Sequence, residues 1–142
     1  MSEQNKALVR RAVDEIWNRG NFAVLDELVA SDFVVHMPPD NIHGPEGVQQ
    51  FFTMLRNAFP DIHFTVEDQV AEGDKVVTRW TARGTHTGEF QGIPPTGKQS
   101  RLEGIDLDRI ANSKAVECWS NMNELDLLQQ LGVLPAPQQV TR

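Results

Sequence analysis

Over the first sixty residues the apolar positions recur at helical spacing. Leu8, Val9, Ala12, Val13, Ile16 and Trp17 fall on one stripe, and Gly20 closes the pattern as a C-terminal cap would, so the spacing predicts an amphipathic first helix. Phe22, Leu25, Leu28 and Val29 repeat the period behind a candidate cap at Asn21. Phe33-Val-Val-His-Met37 then reads as a short strand stopped by Pro38-Pro39, which leaves His36 at its end and near a cavity rim. Pro45 after Gly44 suits the first turn of a further helix, and Pro60 marks its end. That helix carries Val48, Phe51, Phe52, Leu55 and Phe59 as one broad apolar stripe. Such a stripe is core first, and Phe51 and Phe52 are also candidates for a pocket wall.

From Ile62 the period changes to two, with Ile62, Phe64 and Val66 alternating against His63, Thr65 and Glu67. Gly73-Asp74 is a turn signal leading into Lys75–Arg83, which gives an antiparallel hairpin. A loop through Gly92-Ile-Pro-Pro-Thr-Gly-Lys98 precedes a strand from Arg101 to Ile110, and the turn 111–114 leads to a last strand from Ala115 to Asn123. Leu127, Leu128 and Leu131 mark a short final helix. Residues 1–135 read as one domain and 136–142 as an extended or partly disordered tail. Helices followed by a run of antiparallel strands is the α+β pattern, a curved sheet whose concave face the helices only partly fill, and the remaining space suits a small apolar ligand.

At 142 residues and a net charge of −7, the chain is long enough for one core and lacks the basic stripe of a nucleic-acid binder. The single cysteine, Cys118, excludes an intrachain disulfide and fits a reducing compartment. No apolar run approaches membrane-spanning length, so no membrane partner and a cytoplasmic location are expected. Four scattered histidines without ligand spacing predict no metal site. The sequence lacks a phosphate-binding glycine loop, a nucleophile elbow and paired thiols, so no cofactor is expected and dehydrogenase, triad-hydrolase and redox readings fall away.

Candidate chemistry lies in the strands. If each strand is regular, Trp80 faces opposite Arg79, Thr81 and Arg83, and Trp80 is the better pocket wall. Trp119, Asn121 and Asn123 share one face of the last strand, with Cys118, Ser120 and Met122 on the other. Arg101, Glu103, Ile105, Leu107 and Arg109 alternate with Leu102, Gly104, Asp106, Asp108 and Ile110, neither face is cleanly apolar, and Asp106 is a candidate for the pocket. His86, within Gly84-Thr-His-Thr-Gly88, could exchange a proton with a ketone or ester, or simply anchor its loop.

Two segments carry a resemblance. One is Trp80-Thr-Ala-Arg-Gly-Thr-His-Thr-Gly-Glu-Phe-Gln-Gly-Ile-Pro-Pro-Thr-Gly-Lys98, and the other is Glu117-Cys-Trp119 running to Asn123 and then Leu127-Leu-Gln-Gln-Leu-Gly-Val-Leu-Pro135. Over residues 5–135 the chain resembles the polyketide-cyclase-like branch of the nuclear-transport-factor-2-like superfamily, the SnoaL-like proteins or ester cyclases. The resemblance implies a cone-shaped α+β barrel, a mostly antiparallel sheet wrapped around N-terminal helices, and a homodimer paired through the sheet. It also implies cofactor-independent proton transfer on a small hydrophobic carbonyl compound, ending in ring closure or isomerisation. Family members usually place an aspartate four residues after the tryptophan, where this chain has Asn123. Three readings of Asn123 stay open: an amide that binds a carbonyl, a helper to another proton-transfer group such as His36, His86, Asp106 or Glu103, or a cap on the last helix. Under the resemblance, Trp80, Trp119, Asn121, Phe51 and Phe52 would contact substrate. The rivals are a non-catalytic binding or dimerisation module, or a dehydratase or epoxide hydrolase on the same scaffold.

Overall fold

The computed structural model describes residues 2–135, so the tail at 136–142 lies outside the described residues. The chain opens with α1 (Ser2–Ala12), which runs on into a π-helical turn over Val13–Asn18. A 3-10 turn at Phe22–Val24 and the short α2 (Leu25–Leu28) lead into β1 (Val29–His36). Next come β2 (Ile42–His43), α3 (Gly44–Ala58), β3 (His63–Glu72) and β4 (Lys75–Thr85). The chain closes with β5 (Gln99–Ala111), β6 (Lys114–Met122) and α4 (Glu124–Gln130).

The six strands form one curved, open sheet in the order β2-β1-β6-β5-β4-β3. Only β1 and β6 run parallel; the remaining neighbours are antiparallel. The α+β class expected from the sequence is present, with helices rather than further strands covering the concave face. Val9, Val13 and Ile16 from the first helical segment meet Val48, Phe52 and Leu55 of α3 and Phe64, Trp80 and Leu102 of the sheet in one apolar core. Trp17 is its keystone: its ring stacks on Phe52 at 5.5 Å and meets Phe64 and Trp80 edge-on at 5.2 and 5.9 Å.

Some local expectations are corrected. The first helix does not stay α-helical to Gly20: Arg19 N donates to Asp14 O, five residues back, and this wider turn follows Ala12. Asn21 caps nothing; its side chain instead donates to Glu15 at 2.7 Å. The first strand begins at Val29, four residues earlier than the Phe33 start read from the sequence. Pro45 sits in the first turn of α3 as its spacing predicts, and the Asn112-Ser113 turn takes positive φ at both residues, as a two-residue hairpin needs. Among the described residues no helix is long and apolar enough to cross a membrane.

Candidate active site

Helices and sheet enclose a cavity of about 90 Å³. Its walls are apolar, with aliphatic side chains around the rings of Trp17, Phe33, Phe51, Phe52, Phe64 and Trp80. Against the sheet it ends on Asp106, Asp108, Cys118 and Ser120. A second space of about 120 Å³ shares Met37, Phe51, Leu55, Leu102 and Met122 with it and reaches the surface between Pro38-Pro39-Asp40 and Phe90-Gln91. The two are neighbours across that shared wall.

The floor follows from strand parity. Leu102, Gly104, Asp106, Asp108 and Ile110 are the buried face of β5, and Gly104 leaves room for the Trp80 ring lying over it. Asp106 Oδ1 accepts from Trp80 Nε1 at 3.1 Å and from the Ser120 hydroxyl at 2.7 Å. Burial pushes the Asp106 carboxyl above the ordinary carboxylate range, against the pull of these two donors. Asp108 is pushed up to about 7, first by burial and then by the nearby Asp106 charge, while a hydrogen bond from the Cys118 thiol opposes the rise. Cys118 itself is pushed up by burial and by both carboxylates, so it stays a thiol and a donor rather than a nucleophile.

Of the residues singled out in the sequence, Trp80, Asp106, Phe51 and Phe52 line this cavity. The others lie elsewhere. Trp119 is on the outer face of the sheet, 39% exposed and stacked on His36 at 5.2 Å. His36 Nε2 is 2.7 Å from Glu117 Oε2, so it serves an outer-face hydrogen bond, and that bond leads the causes that hold Glu117 below its ordinary range. Asn121 is exposed on the same outer face. Asn123 is the N-cap of α4, its Oδ1 accepting from Asp126 N at 3.2 Å. His86 is fully buried but stands outside the cavity, packed between Phe59 and Phe90. Its Nδ1 accepts from Thr96 N at 3.2 Å and lies 3.0 Å from the Thr96 hydroxyl, while Nε2 has no partner. Backbone bonds from His86 N to Lys98 O and from Gly97 N to His86 O close the loop base beside it. His86 is thus a loop anchor.

Cys118 and Ser120 on the cavity floor were not singled out in the sequence, and neither was Asp108. The available signal was its place two positions from Asp106 on one face, with Gly104 completing the row. Among the described residues no His or Arg lines the cavity. Among the described residues no three His, Cys, Asp or Glu gather as a metal site.

Comparison with known proteins places the chain in a family. Residues 7–131 match the family model of SnoaL-like polyketide cyclases. The aklanonic acid methyl ester cyclase DnrD of Streptomyces peucetius is 29% identical over 131 residues, covering 88% of each chain. The solved structure of IdmH from Streptomyces antibioticus, proposed to be a polyketide cyclase, superposes with a TM-score of 0.80 at 34% identity, over 91% of this chain and 99% of that one. AclR from Streptomyces galilaeus, proposed to be a hydroxylase, superposes with a TM-score of 0.86 at 30% identity, over 98% of this chain and 87% of that one. With its family pattern spanning nearly the whole described chain and its cavity in the matched fold, this chain belongs to the SnoaL-like polyketide cyclase family.

Proposed function

We propose that this chain is a cofactor-independent enzyme of the polyketide-cyclase type, moving protons on a small hydrophobic carbonyl compound. One observation carries the reading: two carboxyl groups, Asp106 and Asp108, form the floor of an otherwise apolar cavity. Two buried like charges cannot both ionise freely, so near neutral pH the pair holds a proton and presents one base and one acid. Asp106, steadied by Trp80 and Ser120, is the base and Asp108 the acid.

The step balances within one molecule. Asp106 takes a proton from the carbon beside a carbonyl, the enolate carbon attacks a second carbonyl, and Asp108 gives its proton to the oxygen that becomes hydroxyl. The proton on Asp106 then returns to Asp108, so no oxidant or co-reactant is consumed. The dehydratase and epoxide-hydrolase readings lose their specific support, because Asp106 has Trp80 and Ser120 as partners rather than a histidine or an arginine. The same proposal takes the chain as cytoplasmic, in keeping with its buried free thiol, and as a homodimer paired through the outer sheet face.

The test is NMR-detected hydrogen–deuterium exchange at the activated carbon of a methyl 3-oxoester, with wild type, Asp106→Asn and Asp108→Asn. Wild type should exceed the buffer rate, and Asp106→Asn should lose about 100-fold or more of that excess. A wild type that binds the ester without accelerating exchange would make the protein a small-molecule binder instead.

A further inference from the structure

Two arginines and a histidine lie in register across the outer face of the sheet. His63 on β3 pairs with Arg83 on β4, and Arg83 pairs with Arg101 on β5. Side chains opposite one another project to the same side, and neighbouring strands are about 4.8 Å apart, so the row spans roughly 10 Å. Like charges placed opposite each other destabilise a sheet. Even so, in a chain of net charge −7, the side chains of His63 and Arg83 have no hydrogen bond or ion pair among the described residues. Arg101 has only a long, half-exposed contact to Glu103 at 3.4 Å.

These residues line a groove of about 490 Å³ with Asp61, Gln99, Ser100 and Gln130. Asp61 is the one carboxylate lining it. Its two oxygens accept from Thr85 N and Thr85 Oγ1, each at 2.7 Å, which turns the carboxylate toward Thr85. Gln130 is fixed to the backbone of Arg101 by two bonds of 2.8 Å, which makes that wall rigid. Arg83 also lines an apolar seam bounded by Leu55 and Leu102, which are cavity residues too.

We propose that His63, Arg83 and Arg101 form an oxyanion-binding site, distinct from the cavity, that takes the phosphate-ester or carboxylate group of a ligand. Arg83 is the central donor, because a free guanidinium presents a planar fork that matches two anionic oxygens. Arg101 joins it by releasing its weak contact to Glu103.

The site is tested by titrating the full chain with inorganic phosphate and, separately, acetate at constant ionic strength, following the amide signals of Gly84 and Gln99 by NMR. Wild type should show saturable shifts. Arg83→Gln and Arg101→Gln should each weaken binding about tenfold, the loss of one charge-assisted contact. Arg79→Gln, on the same face but paired with Asp68, should bind as wild type does. Tighter phosphate than acetate assigns the site to phosphate esters, and the reverse assigns it to carboxylates. Shifts that rise without saturating, or a wild-type response in Arg83→Gln, overturn the proposal.

Discussion

Gly104 and Trp80 are opposite partners on β5 and β4, and a β-carbon at position 104 would fall 2.5 Å from Cζ2 of the Trp80 ring. The indole occupies the volume that any larger residue would need, and from there its Nε1 reaches Asp106. Gly104→Ala forces the ring aside or strains the strand. The expected cost is about 1–3 kcal/mol in a urea melt. Exchange activity should fall beyond what the lost stability explains, with a changed tryptophan emission in the folded protein. Wild-type emission and activity in this variant would mean that the ring placement is unimportant.

Asp108 gives stability a pH dependence of defined sign. Its folded pKa, about 7, stands above the ordinary 3.8, so between those values the folded chain holds a proton that the unfolded chain has released. Stability from this group is therefore full at low pH and is lost as pH rises through 7. Asp108→Asn removes the penalty. The variant should be more stable than wild type at pH 8, by up to the order of 4 kcal/mol, and should match it near pH 4. Urea melts of both proteins at the two pH values decide it; a difference that does not shrink on acidification contradicts the assignment.

Much of the architecture was legible because patterning and turn chemistry agreed. The Trp80 strand, the α3 stripe and the hairpin turns stand where the sequence puts them. The inward face of β6 was not legible, and the cause is one residue. Ile110 pairs with Ala115 but Arg109 pairs with Glu117, so Val116 is an unpaired bulge. Without it, Asp106 would face Trp119, and Trp119, Asn121 and Asn123 would point into the cavity. With it, Asp106 faces Ser120 and that whole set turns outward. A bulge beside a tight turn leaves almost no trace in the alternation of one short strand. Asp108 was hard to see for a different reason: a carboxylate on a mixed face reads as solvated until the wall above it is known.

Asn123 should behave as a helix cap. Asn123→Ala leaves Asp126 N without its side-chain acceptor and should cost about 1 kcal/mol in a denaturant melt. Asn123→Asp keeps the acceptor and adds a negative charge at the start of α4, which should be neutral or stabilising by about 0.3–1 kcal/mol. Exchange rates of both variants should stay within about twofold of wild type. A large gain in Asn123→Asp would mean that the residue reaches substrate.

The outer face predicts self-association. Ile105 and Trp119, 50% and 39% exposed, lie on that face beside Leu107, which pairs with Trp119. Sedimentation should show a dimer for wild type and a monomer for Ile105→Glu, with the thermal midpoint of the fold kept within a few degrees, roughly what a 1 kcal/mol surface change costs. A monomeric wild type removes the interface.

The π-helical turn at Val13–Asn18 is a place where the first helix can lose a residue without losing its cavity wall. Arg19 N bonds back to Asp14 O, five residues away, so the turn holds one residue more than an α-helical turn, and deleting one there would restore α-helical spacing and keep the preceding stripe of Leu8, Val9 and Ala12 on its face. Those three residues line the cavity on its helical side. A single codon lost there would shorten the helix while leaving that wall, Asp106, Asp108 and the sheet that holds them where they are.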